Sequence, residues 1–298
     1  MTRRLLILGS LVLILGLSAR FGSDLWSKPG DSRISFEEPS GTTSGPMTVY
    51  LHRPDTWRAQ DGRILVVLHG DDRDAKGVRD AWRAVAERYG FLLVAPEFSK
   101  TKFPGTRWYD LGNGTDEARH PQPPGEWTFY ALDRAVDAAR RATGAASERF
   151  KLYGFSSGGQ FAHRYLLLTG APRADLVVSG SPGWYTLPVA DRAFPVGLGG
   201  EPVSEQARRA ALSHPFVIHL GEDDTNPRDD FGIPSGEQSE IAPQGTHRFA
   251  RGWYFYEASR KEADRLGVPF AWKVVTAPGV GHVVGGLAQH AARTVLEP

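Results

Sequence analysis

The chain has 298 residues, of which 41% are hydrophobic and 23% charged, and this composition argues against an intrinsically disordered chain and a polytopic membrane protein. Its 35 Lys and Arg residues nearly balance 34 Asp and Glu residues, so the net charge of +1 gives no electrostatic reason to expect nucleic acid as a partner. The absence of cysteine excludes disulfides, thiolate metal ligands and a cysteine nucleophile.

The first feature along the chain is an apolar run that follows two arginines. Arg3 and Arg4 precede mainly apolar residues from Leu5 to Leu17, a layout typical of a secretory signal peptide. The run is shorter than the ~20 residues that span a bilayer comfortably, which favours a cleaved signal. We therefore predict a signal peptide or N-terminal anchor at residues 1–22, and an exported protein (periplasmic or extracellular) that residues 5–19 would anchor if they are not cleaved.

The rest of the chain alternates short apolar strands with amphipathic helices. Strands are predicted at residues 48–53, 63–68, 91–95, 150–155, 175–179, 216–220 and 271–276. Helices are predicted at about residues 78–89, 126–143, 159–168 and 249–266, and at the C-terminus. This alternation predicts an α/β fold with a mostly parallel central sheet flanked by helices on both faces. Ligands of such sheets bind at the carboxyl ends of the strands, so the segments that leave strands are the candidate functional segments.

The segment after one predicted strand contains a candidate nucleophile. The predicted strand that ends at Phe155 runs into Gly-Phe-Ser-Ser-Gly-Gly, which contains the pattern G-x-S-x-G and precedes a predicted helix. A strand before the pattern and a helix after it are typical of a nucleophile elbow, a tight turn that presents a serine above the sheet. Gly154 and Gly158 supply the room that this turn requires. Ser156 is therefore the candidate nucleophile, and it needs a base and an orienting acid.

The segments after two later strands contain the candidate base and the candidate acid. His282 ends a glycine-bounded loop after the last predicted strand, and we predict that it is the base. The run Gly-Glu-Asp-Asp-Thr follows the strand before it, and we predict Asp224 as the acid, with Asp223 as the first alternative and Asp229 or Asp230 behind it. This run lacks the spacing of a calcium-binding loop, so no metal site is predicted.

Acyl transfer also requires two N–H donors for the oxyanion that forms. The backbone N–H of Ser157, directly after the nucleophile, is one candidate. The second is predicted in the loop Leu-His-Gly-Asp-Asp-Arg after the first central strand, at the N–H of Asp71 or, alternatively, Asp72. His69 in the same loop is predicted to hold the loop by hydrogen bonds rather than to act in catalysis.

Taken together, these segments resemble the α/β-hydrolases, close to the esterase and polyhydroxyalkanoate-depolymerase-like group. The similarity rests on the Leu-His-Gly-Asp-Asp-Arg loop, the Gly-Phe-Ser-Ser-Gly-Gly elbow, the Gly-Glu-Asp-Asp-Thr turn and the Gly-Val-Gly-His loop. It implies a single catalytic domain over residues 31–298, a triad of Ser156, Asp224 and His282, no cofactor, and ester substrates, some of them polymeric. The chain departs from secreted polymer-degrading members because it has no cysteine and no separate polymer-binding domain.

Several residues are candidates for substrate contact. Trp184 and Tyr185 follow a predicted strand, and Trp108 lies in a long loop, so we expect these three to border the cleft and bind substrate. The segment 225–248 is long for a loop and is a candidate lid. Arg248 at its end, with Arg251 and Trp253 just after it, is a candidate for binding an acidic or polymeric ligand.

The residues therefore predict a serine hydrolase of carboxylic esters that works through a Ser-His-Asp acyl-enzyme mechanism. Its expected partner is a small-molecule or polymeric ester, with no nucleic acid, and with membrane contact only through an uncleaved N-terminal segment. Two alternatives stay open: a peptidase with the same triad, and an exported non-catalytic binding module on a hydrolase scaffold.

Overall fold

The computed structural model describes residues 29–60, 62–227 and 238–296, and one eight-stranded sheet runs through this part of the chain. The strands are β1 (Gly30–Glu38), β2 (Gly45–Arg53), β3 (Ile64–Leu68), β4 (Leu92–Pro96), β5 (Phe150–Phe155), β6 (Ala174–Gly180), β7 (Phe216–Gly221) and β8 (Trp272–Ala277). The helices are α1 (Ala75–Tyr89), α2 (Gly105–Trp108), α3 (Phe129–Thr143), α4 (Ser157–Thr169), α5 (Glu205–Leu212), α6 (Gln238–Ile241), α7 (Arg248–Leu266) and α8 (Val284–Thr294).

The sheet confirms the predicted mostly parallel architecture. Its strand order is β1-β2-β4-β3-β5-β6-β7-β8, with β1, β2 and β4 paired antiparallel and every pair from β4 to β8 parallel. Leu68 of β3 lies beside Gly154 of β5, and Gly180 of β6 lies between Phe155 and His219 of its neighbours. The carboxyl ends of the central strands therefore meet at one edge, where the predicted site residues follow them.

Helices cover both faces of this sheet, which explains why β3 and β4 are apolar throughout. Val66 of β3 belongs to the core that includes Phe161 of α4 and Phe255 of α7. The next residue, Val67, belongs to the core on the opposite face, which includes Trp82 of α1. A strand buried on both faces has a continuous apolar sequence. The packed sheet holds the segments that follow its strands in fixed relative positions.

One strand, β1, and three helices, α2, α5 and α6, were not predicted. β1 pairs with β2 over nine residues, but only Ile34 and Phe36 among its inward positions are large and apolar, so its sequence carries a weak strand pattern. Glu38 at its end binds Arg134 of α3 through two hydrogen bonds of 2.7 and 2.6 Å, which ties this edge of the sheet to the helical layer. Of the three missed helices, α5 lies between β6 and β7 and has eight residues, whereas α2 and α6 have four residues each.

Some predicted features fall outside the described residues. The predicted signal peptide at residues 1–22 does so entirely, and of the candidate lid only residues 225–227 and 238–248 are described. Within the described ranges, no helix combines the length and the apolar character needed to cross a membrane. The same ranges hold no group of His, Asp and Glu side chains arranged to bind a metal ion.

Candidate active site

Three side chains that are far apart in sequence form one hydrogen-bonded chain at the carboxyl edge of the sheet. His282 Nε2 lies 3.1 Å from Ser156 Oγ, and His282 Nδ1 lies 2.8 Å from Asp224 Oδ2. A neutral imidazole that donates its Nδ1 hydrogen to the carboxylate leaves Nε2 free to accept the serine proton. The structure therefore brings together all three predicted residues in the geometry that an activated serine requires.

The turn at Ser156 explains why this serine stands above the sheet. Its backbone φ of 55° and ψ of −118° are strained for a residue with a side chain. A Cβ added at Gly154 would lie 1.9 Å from the carbonyl oxygen of Gly158, and one added at Gly158 would lie 2.7 Å from that of Leu68. Only glycine fits at either position, as the sequence predicted. The Ser156 N–H also donates to Gly180 O at 2.8 Å, which fixes the turn to β6.

Asp224 is buried, with 3% of its surface exposed, and its two carboxylate oxygens have different partners. Oδ2 faces His282, while Oδ1 lies 3.6 Å from Nη1 of Arg248. Burial raises the pKa of Asp224, but the hydrogen bonds from His282 and Ser181 and the charge of Arg248 outweigh it and hold this pKa below its usual value. The acid is therefore ionised at neutral pH.

The alternative acids are placed differently. The side chain of Asp223 is exposed, and its backbone N–H donates to Val280 O at 3.0 Å, which ties the acid loop to the histidine loop. Asp229 and Asp230 lie outside the described residues. Among the described carboxylates of this loop, Asp224 is the one in contact with His282.

The loop after β3 lies against the nucleophile. A Cβ added at Gly70 would lie 3.5 Å from the Ser156 Cβ, which places Asp71 beside the elbow, and Ser157 is the first residue of α4. His69 holds this loop: its Nδ1 bonds Gly70 O at 2.9 Å and its Nε2 accepts the N–H of Phe98 at 3.1 Å. Burial lowers the pKa of His69 to about 3, so the imidazole is neutral and the predicted structural role is confirmed.

Further contacts fasten the long loop after β4 to the same place. The guanidinium of Arg73 donates to the carbonyl oxygens of Phe98 and Phe103 at 2.8 and 3.2 Å, and it lies 4.2 Å from the ring of Tyr109. The Tyr109 hydroxyl in turn donates to His69 O at 2.8 Å. These two loops therefore form one connected wall beside Ser156, although neither carries a sequence pattern that predicts the connection.

Comparison with solved structures decides the family. A poly(aspartic acid) hydrolase from Sphingomonas sp. KT-1 is 36% identical over 91% of this chain and 100% of its own, with a TM-score of 0.83. A poly(3-hydroxybutyrate) depolymerase from Bordetella parapertussis is 32% identical over 89% of this chain and 88% of its own, with a TM-score of 0.81. The chain belongs to the α/β-hydrolases. Within them it falls in the esterase and depolymerase-like group, so the resemblance seen in the sequence is confirmed.

A more distant neighbour shows similarity of fold alone. An S-formylglutathione hydrolase from Agrobacterium tumefaciens, 16% identical over 88% of this chain and 91% of its own, shares the fold with a TM-score of 0.54. No protein-family model and no curated protein matches the chain. The two more similar neighbours are both hydrolases, and they support a hydrolase function here.

The aromatic residues expected to bind substrate are placed differently from the prediction. Trp184 and Tyr185 have no exposed surface, so both lie in the core of this hydrolase rather than at its cleft. The guanidinium of Arg164 lies 4.2 Å from the ring of Trp184, and Tyr185 stacks on Phe255 at 4.3 Å. Trp108 is half-buried and packs against the core. Burial of large aromatic surface explains these positions, and the predicted contact of Trp184 and Tyr185 with substrate is wrong for this conformation.

A buried carboxyl group lies beneath the elbow of the hydrolase. Asp110 is 2% exposed; its Oδ2 accepts a hydrogen bond of 3.3 Å from Gln160, in the first turn of α4, and its Oδ1 has no hydrogen-bond partner among the described residues. Burial raises the pKa of Asp110 to about 7, against the opposing charges of Arg164 and Arg73. No sequence pattern singled out this residue.

We expect Asp110→Asn to become more stable relative to the wild type as the pH rises. A carboxyl group whose pKa is raised by folding contributes fully to stability below its unfolded pKa near 4, and it loses that contribution as the pH rises towards 7. The neutral amide lacks this loss, so the difference in unfolding free energy should shift by about 2–4 kcal/mol in its favour between pH 4.5 and pH 8. Urea unfolding at both pH values measures it, and a constant difference would contradict the buried-acid interpretation.

Proposed function

We propose that the protein is a serine hydrolase of carboxylic esters, with Ser156 as nucleophile, His282 as general base and acid, and Asp224 as the orienting carboxylate. The observation that carries the proposal is the unbroken chain of hydrogen bonds from Ser156 Oγ through His282 to Asp224. A serine hydroxyl gains nucleophilic character when a positioned imidazole can take its proton. An unpaired serine on an α/β scaffold would have no such partner.

The proposed reaction has two halves. Ser156 Oγ attacks the ester carbonyl carbon while His282 Nε2 takes its proton, and the resulting imidazolium then protonates the alcohol oxygen as the carbon–oxygen bond breaks. Water attacks the acyl-enzyme with the same histidine as base, which releases the acid and restores the serine. The N–H groups of Ser157 and Asp71 are the proposed donors to the oxyanion, supported by the position of both residues beside Ser156.

The cleft edge carries negative charge, which bears on the substrate. Asp71 and Asp72 are exposed on the loop after β3, which lies against Ser156, and Asp223 is exposed on the loop that carries Asp224. These exposed carboxylates repel a polyanion and have little effect on a neutral ester. This charge supports a neutral ester over an acidic polymer as substrate.

Amide hydrolysis is the second candidate, because a neighbour of 36% identity is a poly(aspartic acid) hydrolase. The same triad serves both bonds, since the imidazolium can protonate a leaving amine as well as an alcohol. Poly(aspartic acid) is polyanionic at neutral pH, so the acidic entrance should make its hydrolysis rise with salt, whereas hydrolysis of a neutral ester should change little.

The test combines a serine-directed fluorophosphonate with a substrate pair. We expect one adduct on Ser156, located by mass spectrometry, that is lost in Ser156→Ala and His282→Ala and kept in Ser44→Ala, which removes an exposed serine elsewhere. Oligomers of 3-hydroxybutyrate and of aspartate, assayed at low and high salt, then separate the two substrates. A folded wild-type protein that forms no adduct would support the non-catalytic binding module instead. Hydrolysis of aspartate oligomers alone would contradict the ester assignment.

A further inference from the structure

A buried arginine approaches the triad from the side opposite the histidine. Arg248 is the first residue of α7, its side chain is buried, and its Nη1 lies 3.6 Å from Asp224 Oδ1. The backbone of the same helical turn also reaches the acid loop, since Phe249 N–H donates to Asp224 O at 3.3 Å. Asp224 is thus held between an imidazole on one oxygen and a guanidinium on the other.

We infer that Arg248 is a positioning residue: its positive charge offsets part of the negative charge of Asp224, and it holds the carboxylate towards His282. The inference rests on the proposed function and deepens it. A carboxylate beside an imidazole stabilises the imidazolium, and a protonated His282 cannot accept the Ser156 proton. A fixed positive charge on the far side of the carboxylate weakens that effect, while the ion pair also holds the carboxylate plane towards His282.

The other groups around the pair do not supply this charge. Facing Asp224 besides His282 and Arg248 are the hydroxyl of Ser181 and the phenol of Tyr185, whose own pKa is raised well above its usual value by burial and by the charge of Asp224. The neighbouring carboxylates are Glu222 and Asp223 on the loop after β7 and Asp71 and Asp72 on the loop after β3. Hydroxyls are neutral and these carboxylates are negative, so Arg248 is the cation in contact with the acid among the described residues.

The test compares neutral and charged replacements of Arg248. We expect Arg248→Met to move the acidic limb of the kcat/KM profile to higher pH by about one unit or more, because the variant loses a fixed positive charge beside Asp224 that disfavours a second positive charge on the imidazole. Arg248→Lys keeps the charge and should keep the limb near its wild-type position. Arg260→Met removes an exposed arginine further along α7 and should leave the profile unchanged. Fluorophosphonate labelling needs no substrate, and the pH dependence of its rate should show the same acidic limb as kcat/KM in each variant.

The outcomes separate the inference from the proposed function. A wild-type protein that neither labels nor hydrolyses contradicts the proposed function before any variant is made. If the wild type is active and the acidic limb of the Arg248→Met profile is not shifted, the inferred role of Arg248 is overturned while the proposed function stands. This holds whatever the loss in kcat. If Arg248→Met does not fold, as judged by circular dichroism, Arg248→Gln replaces it in the comparison with Arg248→Lys. If neither neutral variant folds, Arg248 is structural and the inference is overturned.

Discussion

Ester hydrolysis by Ser156→Ala is expected to fall by about 10⁵-fold in kcat, with KM little changed. The variant keeps the strained turn and the surrounding hydrogen bonds but lacks the oxygen that forms the acyl-enzyme, so the remaining rate comes from the binding and oxyanion groups alone. The rate measurement needs active-site titration of the wild type beside it, because a trace of contaminating esterase would raise the residual rate measured for the variant.

The double variant Ser156→Ala/His282→Ala tests whether the two side chains act as one catalytic unit. The two side chains act as one unit through their 3.1 Å hydrogen bond, so removing the second after the first should cost little more. Multiplicative losses in the double variant would show that His282 acts independently of Ser156. Unchanged hydrolysis in Ser156→Ala would place the active nucleophile elsewhere in the protein.

Gly154→Ala should have the second largest effect, by preventing the native elbow from forming. The added Cβ would lie 1.9 Å from Gly158 O and 2.8 Å from Gly159 N, both of them backbone atoms. Gly158 has little room to move away, because the end of β3 lies against it: a Cβ added at Gly158 would lie 2.7 Å from the carbonyl oxygens of Leu68 and His69. Forcing such an overlap into a close-packed interior costs about 3–5 kcal/mol, a large part of the roughly 5–15 kcal/mol by which most proteins are stable.

Gly285→Ala is the matched control for that substitution. Gly285 lies in α8, and a Cβ added there meets no atom within 4 Å among the described residues. Alanine is the better helix former, by up to about 1 kcal/mol in a helix interior, so this variant should be as stable as the wild type or slightly more so. Urea midpoints and the soluble yield of both variants measure the contrast. A Gly154→Ala protein with the wild-type midpoint would show that the elbow can relax.

The fold was largely predictable because its central strands are short and mainly apolar. Residues such as those of β3 are buried on both faces of a parallel sheet, and that environment selects Val, Ile and Leu without alternation. β5 lies at Phe150–Phe155, as predicted. The edge strand β1 was missed because its stability comes from pairing along β2 and from the Glu38–Arg134 contact, neither of which leaves an apolar pattern in the sequence.

The candidate site was predictable where chain topology brings residues together. Ser156, Asp224 and His282 each follow a parallel strand, and parallel strands end at one edge. Contacts across helices were not predictable: Arg248 reaches Asp224 because α7 packs beside the acid loop, and no local pattern encodes that approach. Trp184 and Tyr185 were expected at the cleft because they also follow a strand, but side-chain direction depends on packing partners that are distant in sequence.

The fastening of the loop after β4 to the loop after β3 has a consequence for how a bulky substrate enters. Three hydrogen bonds from Arg73, one from Tyr109 and one to His69 connect these loops on the β3 side of the nucleophile. Opening that side would expose a buried cation and break all five bonds at once. A bulky substrate is therefore expected to meet a fixed wall on the β3 side of Ser156, where the proposed oxyanion donor at Asp71 lies.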